Sequence, residues 1–86
     1  MKNKLFGSQI RAARALLSWS AAELAEACSL GANTIRRAEL TDSETSMTAA
    51  NDLAVRRALE AAGVEFIDEN GGGPGVRLKK AKRERS

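Results

Sequence analysis

The stretch from Ser20 to Leu40 constrains the fold more than any other part of the chain. It holds two short helical segments with only Ser29-Leu30-Gly31 between them. Ser20 stands three residues before Glu23, the spacing at which a cap side chain and a third-position carboxylate satisfy each other's free amides. Leu24, Ala25, Ala27 and Cys28 give the first segment an inward face, with Glu23 and Glu26 toward water. The second runs from Ala32 to about Leu40, with Ile35, Ala38 and Leu40 as its apolar positions. Helices this short are not stable alone. They must pack on each other and on neighbours, at the sharp angle a three-residue break imposes.

Two further helical segments supply those neighbours. Residues 8–17, SQIRAARALL, place Ile10, Ala13, Leu16 and Leu17 on one face, with Arg11 and Arg14 turned away and Ser8 as the expected cap. Residues 48–62 carry Leu53, Val55, Ala58, Leu59 and Ala62, and Gly63 follows as a helix terminator. Thr41–Ser46 is a polar loop. Beyond Gly63 the pattern changes. Val64-Glu65-Phe66-Ile67 and Val76-Arg77-Leu78-Lys79 alternate around the turn-forming run Glu69–Gly75, which predicts a β-hairpin. A lone hairpin is marginal in water, so it should pack on the helices or pair with a second chain, as in a homodimer.

The expectation is a mainly α fold. Residues 1–7 read as a flexible N-terminal segment and 8–63 as a four-helix domain. Residues 64–79 read as the hairpin, and 80–86 as a disordered basic tail. The only aromatic residues are Phe6, Trp19 and Phe66, so the core must come from aliphatic side chains and alanines, with Trp19 between helices and Cys28 as a small apolar filler.

Several function classes find no support. There is no histidine or tyrosine, and the single cysteine makes neither an internal disulfide nor a metal-ligand set. No catalytic constellation, cofactor motif or metal site is legible, so the chain reads as a non-enzyme. The Gly71–Gly75 run lacks the following Lys-Ser/Thr pair and helix start of a phosphate loop. No apolar run approaches membrane-spanning length, and no signal peptide is visible, so a cytoplasmic location and no membrane partner are expected.

The net charge of +3 is unevenly placed. Residues 1–75 carry eight basic and ten acidic side chains, and residues 76–86 carry six and one. The excess positive charge lies in an arm containing Lys79, Lys80, Lys82, Arg83 and Arg85. It suits steering toward DNA or an acidic partner, or simple solubility.

Residues 10–39, IRAARALLSWSAAELAEACSLGANTIRRAE, resemble the helix-turn-helix domain of the XRE family, the phage Cro and repressor type. The matching positions are Ile10, Leu16, Leu17, Trp19-Ser20, Glu23-Leu24-Ala25, Thr34-Ile35-Arg36-Arg37 and Glu39. Residues 56–80 are similar to the end of a short proteobacterial subgroup in which a strand pair replaces the last helix. The resemblance implies a transcription regulator whose third helix lies in the major groove of double-stranded DNA. It assigns recognition to Ala32, Asn33, Thr34, Arg36 and Arg37, and phosphate contact to Ser20 and Ala21 at the start of the second helix.

Three features depart from that family pattern. Ala21 stands where the family carries a DNA-contacting Gln. Gly31-Ala32 replaces a capping Ser or Thr at the start of the third helix. Residues 20–46 hold two basic side chains, Arg36 and Arg37, against five acidic ones, Glu23, Glu26, Glu39, Asp42 and Glu44. Such a surface supplies little phosphate neutralisation. Two readings therefore stand. One is a sequence-specific DNA-binding repressor or activator, dimeric through the hairpin. The other, which the departures favour, is an antiactivator that binds another transcription regulator, as small proteins of this fold do in rhizobial quorum sensing.

Overall fold

The computed structural model describes residues 4–79. Four helices come first: α1 (Gly7–Leu17), α2 (Ala21–Cys28), α3 (Ala32–Ala38) and α4 (Ala49–Ala61). Strands β1 (Val64–Ile67) and β2 (Gly75–Leu78) follow as an antiparallel hairpin. The fold is thus a small, mainly α domain of four helices and one hairpin. The basic arm from Lys80 onward, expected to be disordered, lies outside the described residues.

Local chemistry sets the helix limits. Ser20 Oγ accepts from the Glu23 amide at 3.0 Å, and Glu23 Oε1 accepts from the Ser20 amide at 2.7 Å, so the capping box forms as the spacing required. Thr48 caps α4 by accepting from the Asn51 amide at 3.1 Å. Ser18 and Ser29 end α1 and α2 in the left-handed region, at φ 58° and 61°. This conformation lets the amides of Trp19 and Leu30 bond back to Arg14 O and Ala25 O, both at 2.9 Å. Gly63 adopts φ 108° after α4, which its lack of a Cβ permits.

The start of α1 differs from expectation. The helix begins at Gly7, not after Ser8: Phe6 is the cap residue and makes no side-chain cap bond, while Gln9 Oε1 accepts from the Phe6 amide at 3.0 Å. Residues 4–7 are not a loose leader. Leu5 is only 1% exposed, and Thr45 N donates to Leu5 O at 2.9 Å. Gly7 N donates to Ser43 O at 3.0 Å, and Phe6 bridges Glu44. This segment is stitched to the loop that follows α3.

The core comprises Leu5, Ile10, Ala13, Leu24, Ala25, Ile35, Ala38, Val55, Leu59, Val64 and Phe66, with Cys28 and Met47 at its edge. Each fully buried aliphatic contributes roughly 1.5–3 kcal/mol through water exclusion. Burial also pushes the Cys28 thiol above its ordinary pKa. Trp19 and Leu17 pack against this cluster. α2 packs on both α3 and α4, and the hairpin lies on α1 and α4. Val64 pairs with Leu78, Glu65 with Arg77, Phe66 with Val76 and Ile67 with Gly75. Gln9 Nε2 donates to Gly75 O at 3.2 Å, and the Arg56 guanidinium stacks over the Phe66 ring at 5.0 Å. The hairpin therefore finds its support on the helices of its own chain.

Four apolar positions fall differently from their sequence reading, among them Ala27, which is exposed on α2. Leu40 is 83% exposed and Leu16 is 41% exposed. Leu53 is only partly buried, while its neighbour Asp52 is wholly inside. The inner face of α4 runs through Asp52, Val55 and Leu59, a rotation the hydrophobic residues alone do not indicate. Asp52 can occupy it because Lys4 Nζ lies 3.1 Å from one carboxylate oxygen and Thr45 Oγ1 donates to the other at 2.7 Å.

Candidate functional site

The sequence-predicted recognition residues lie on α3, whose back is fixed by Ile35 and Ala38 in the core. Helical spacing then puts Asn33, Arg36 and Arg37 on the outer face, and all three are exposed. Leu40, in the turn after α3, is exposed as well. Arg36 Nη1 donates to Asn33 Oδ1 at 3.2 Å, so one candidate side chain steadies another. Neither arginine has a carboxylate partner among the described residues.

The other candidates are placed differently. Ala32 packs against the core and turns little surface outward. Thr34 is partly buried and lines a cleft with Arg37, Ala38, Ser46, Met47, Thr48 and Asn51, about 220 Å³ in volume. Ser20 Oγ is engaged in capping α2, and Ala21 packs against the core. Lys79 is exposed just beyond β2, where its amide donates to Gly63 O at 2.7 Å. Lys80, Lys82, Arg83 and Arg85 fall outside the described residues.

The acidic surround is rearranged by α1. Arg14 was expected to face water. It instead donates through Nε and Nη2 to the two oxygens of Glu39 at 2.7 and 2.8 Å, and through Nη1 to Trp19 O at 2.9 Å. The hydrogen-bonded Glu39 carboxylate raises the Arg14 pKa, outweighing the opposing effect of burial. Arg11 ion-pairs with Asp42 and donates to the carbonyls of Glu39 and Thr41. Two of the five acids counted near α3 are thus matched by arginines from a distant segment. Glu23 is held in its capping box, while Glu26 and Glu44 remain exposed.

These pairings were missed because they join residues 25 to 31 positions apart. The outward position of Leu40 did carry a signal. With Ile35 and Ala38 inside, the 3.6-residue period sends Glu39 inward and Leu40 outward.

Among the described residues, no three His, Cys, Asp or Glu side chains form a metal-ligating group, and no helix is long and apolar enough to cross a membrane. The chain matches no protein-family model and no curated protein.

Proposed function

We propose that this protein is a small helix-turn-helix regulator of transcription, and that it acts chiefly by binding another regulatory protein. α2 and α3 would be the helix-turn-helix pair and α3 the recognition helix. The observation that carries this reading is the exposed set Asn33, Arg36 and Arg37 on a helix whose back is locked in the core, with exposed Leu40 in the turn that follows. Arginine is enriched among the residues that dominate protein interfaces. The α2 start, by contrast, offers two alanines and one serine hydroxyl, so it brings at most a single side-chain donor to phosphate.

DNA binding is the second reading, and two observations favour it. Neutralisation of Glu39 and Asp42 by Arg14 and Arg11 reduces the repulsion a phosphate backbone would meet. The cleft lined by Arg37, Ser46, Thr48 and Asn51 offers polar groups beside that set.

Fluorescence anisotropy with a duplex from the protein's own upstream region, across a salt series, separates the two. The protein reading expects weak binding that depends on residues 79–86. Nanomolar, sequence-specific binding with a steep salt slope would overturn it in favour of DNA. Transcript profiling with and without the protein tests the common premise. No altered transcript would sink both readings.

A further inference from the structure

We infer that α3 and the turn after it dock an acidic, apolar-centred segment of a partner protein, with Leu40 as the buried anchor and Arg36 and Arg37 as the flanking charge contacts. This deepens the proposed function and rests on α3 being the recognition helix.

Leu40 is the most exposed of the large hydrophobic side chains among the described residues. A solitary exposed leucine needs no explanation. This one lies two residues beyond the end of α3, in the turn that follows the exposed helical positions 33, 36 and 37. It is also held in place. The Leu40 amide donates to Arg37 O at 3.2 Å, and its neighbour Glu39 is clamped by Arg14 on the opposite side. The leucine is thus pinned outward in the free protein and gives up little backbone freedom on binding.

Charge complementarity identifies the partner's character. Both arginines lack a carboxylate within the described chain, and Glu39, the acid nearest in sequence, is turned away to Arg14. A binding segment that brings carboxylates would find two guanidinium groups without an acidic partner, Arg37 and Arg36, the latter with one Nη1 bond to Asn33 to exchange. Between them and Leu40 it must also bring an apolar side chain, because a leucine offers a polar surface nothing to bond. An amphipathic helix with Asp or Glu flanking Leu, Ile, Phe or Met meets both demands. Duplex DNA brings negative charge but no apolar side chain for Leu40.

The test is selection from a displayed library of random peptides about twelve residues long, with the full-length protein as bait. The expected winners combine at least two acidic residues with a large apolar one. Their affinity, read by anisotropy, should fall about tenfold or more with Leu40→Asp and with the pair Arg36→Ala and Arg37→Ala. Arg57→Ala, an exposed arginine on α4, should leave it within about twofold. Circular dichroism checks that each variant keeps its fold, which the exposure of these side chains favours. No enrichment, winners without acidic residues, or indifference to Leu40→Asp would each overturn the inference. So would nanomolar binding of a random-sequence duplex that displaces the peptides. If transcripts still respond to the protein in those cases, the transcription reading survives while the acidic-partner inference does not.

Discussion

Replacing Gly7 by alanine sets helix propensity against packing, and the two predict opposite signs. An added Cβ would lie 1.9 Å from Thr41 O and 2.6 Å from Ala38 O. Both are backbone atoms, so no side chain can rotate away. The start of α1 and the end of α3 would have to separate by about 1 Å or more to reach ordinary contact. Overpacking of this kind costs about 1–3 kcal/mol. The separation also strains the Gly7 N to Ser43 O bond, contributing about 1 kcal/mol. Against this, alanine in place of glycine gains at most about 1 kcal/mol of helix propensity. The net expectation is about 2 kcal/mol of destabilisation, a fall of roughly 8–16 °C in the thermal midpoint of a domain this size. Far-UV circular dichroism melts and urea titrations followed by Trp19 fluorescence measure it. Gly31→Ala is the control. Its nearest neighbour to a new Cβ is Thr34 Oγ1 at 3.9 Å, so the change should cost no more than about 1 kcal/mol, that of a lost cap residue. A Gly7→Ala midpoint equal to or above that of the parent would refute the close approach of α1 to α3.

Arg14→Met should cost about 2 kcal/mol, because it leaves the Glu39 carboxylate nearly buried without its partner, and adding Glu39→Met should restore most of that loss. A thermal double-mutant cycle with a coupling below about 0.5 kcal/mol would show the pair to be idle. The hairpin has a pH signature. Hydrogen bonding and charge from Arg77 hold the Glu65 carboxyl below its ordinary pKa. Its contribution is therefore present above the unfolded value near ~4.3 and lost as pH falls through the lower folded value. NMR titration should show β1–β2 contacts loosening in acid, a step that Glu65→Gln removes. An acid limb unchanged by that substitution would discount the pair.

What could be read from the amino acids alone was local. Ser20 and Glu23 announce a cap because both partners lie within one turn. Glycines and alternating residues announce the hairpin because its strands are joined by a short turn. The inward turn of Asp52 was hidden because it depends on Lys4 and Thr45, which belong to other parts of the chain. The candidate site was half legible. Asn33, Arg36 and Arg37 follow from the helix period, whereas Leu40 was assigned inward on hydrophobicity against that same period. The electrostatics near α3 were the least legible. A count over residues 20–46 omits Arg11 and Arg14, which folding delivers to the acids it includes.

The stitching of residues 5–7 to residues 43–45 has a kinetic side. These segments meet only after a loop of roughly forty residues has closed, which costs on the order of 3 kcal/mol in chain entropy. All of α1, α2 and α3 lies inside that loop. A transient release of the clasp would therefore free the connection that carries Thr41 to Ser46 and expose the far end of α3. The turn after α3 is then held by that clasp together with the Arg11 and Arg14 side chains of α1, so its order depends on contacts that only the closed loop brings together.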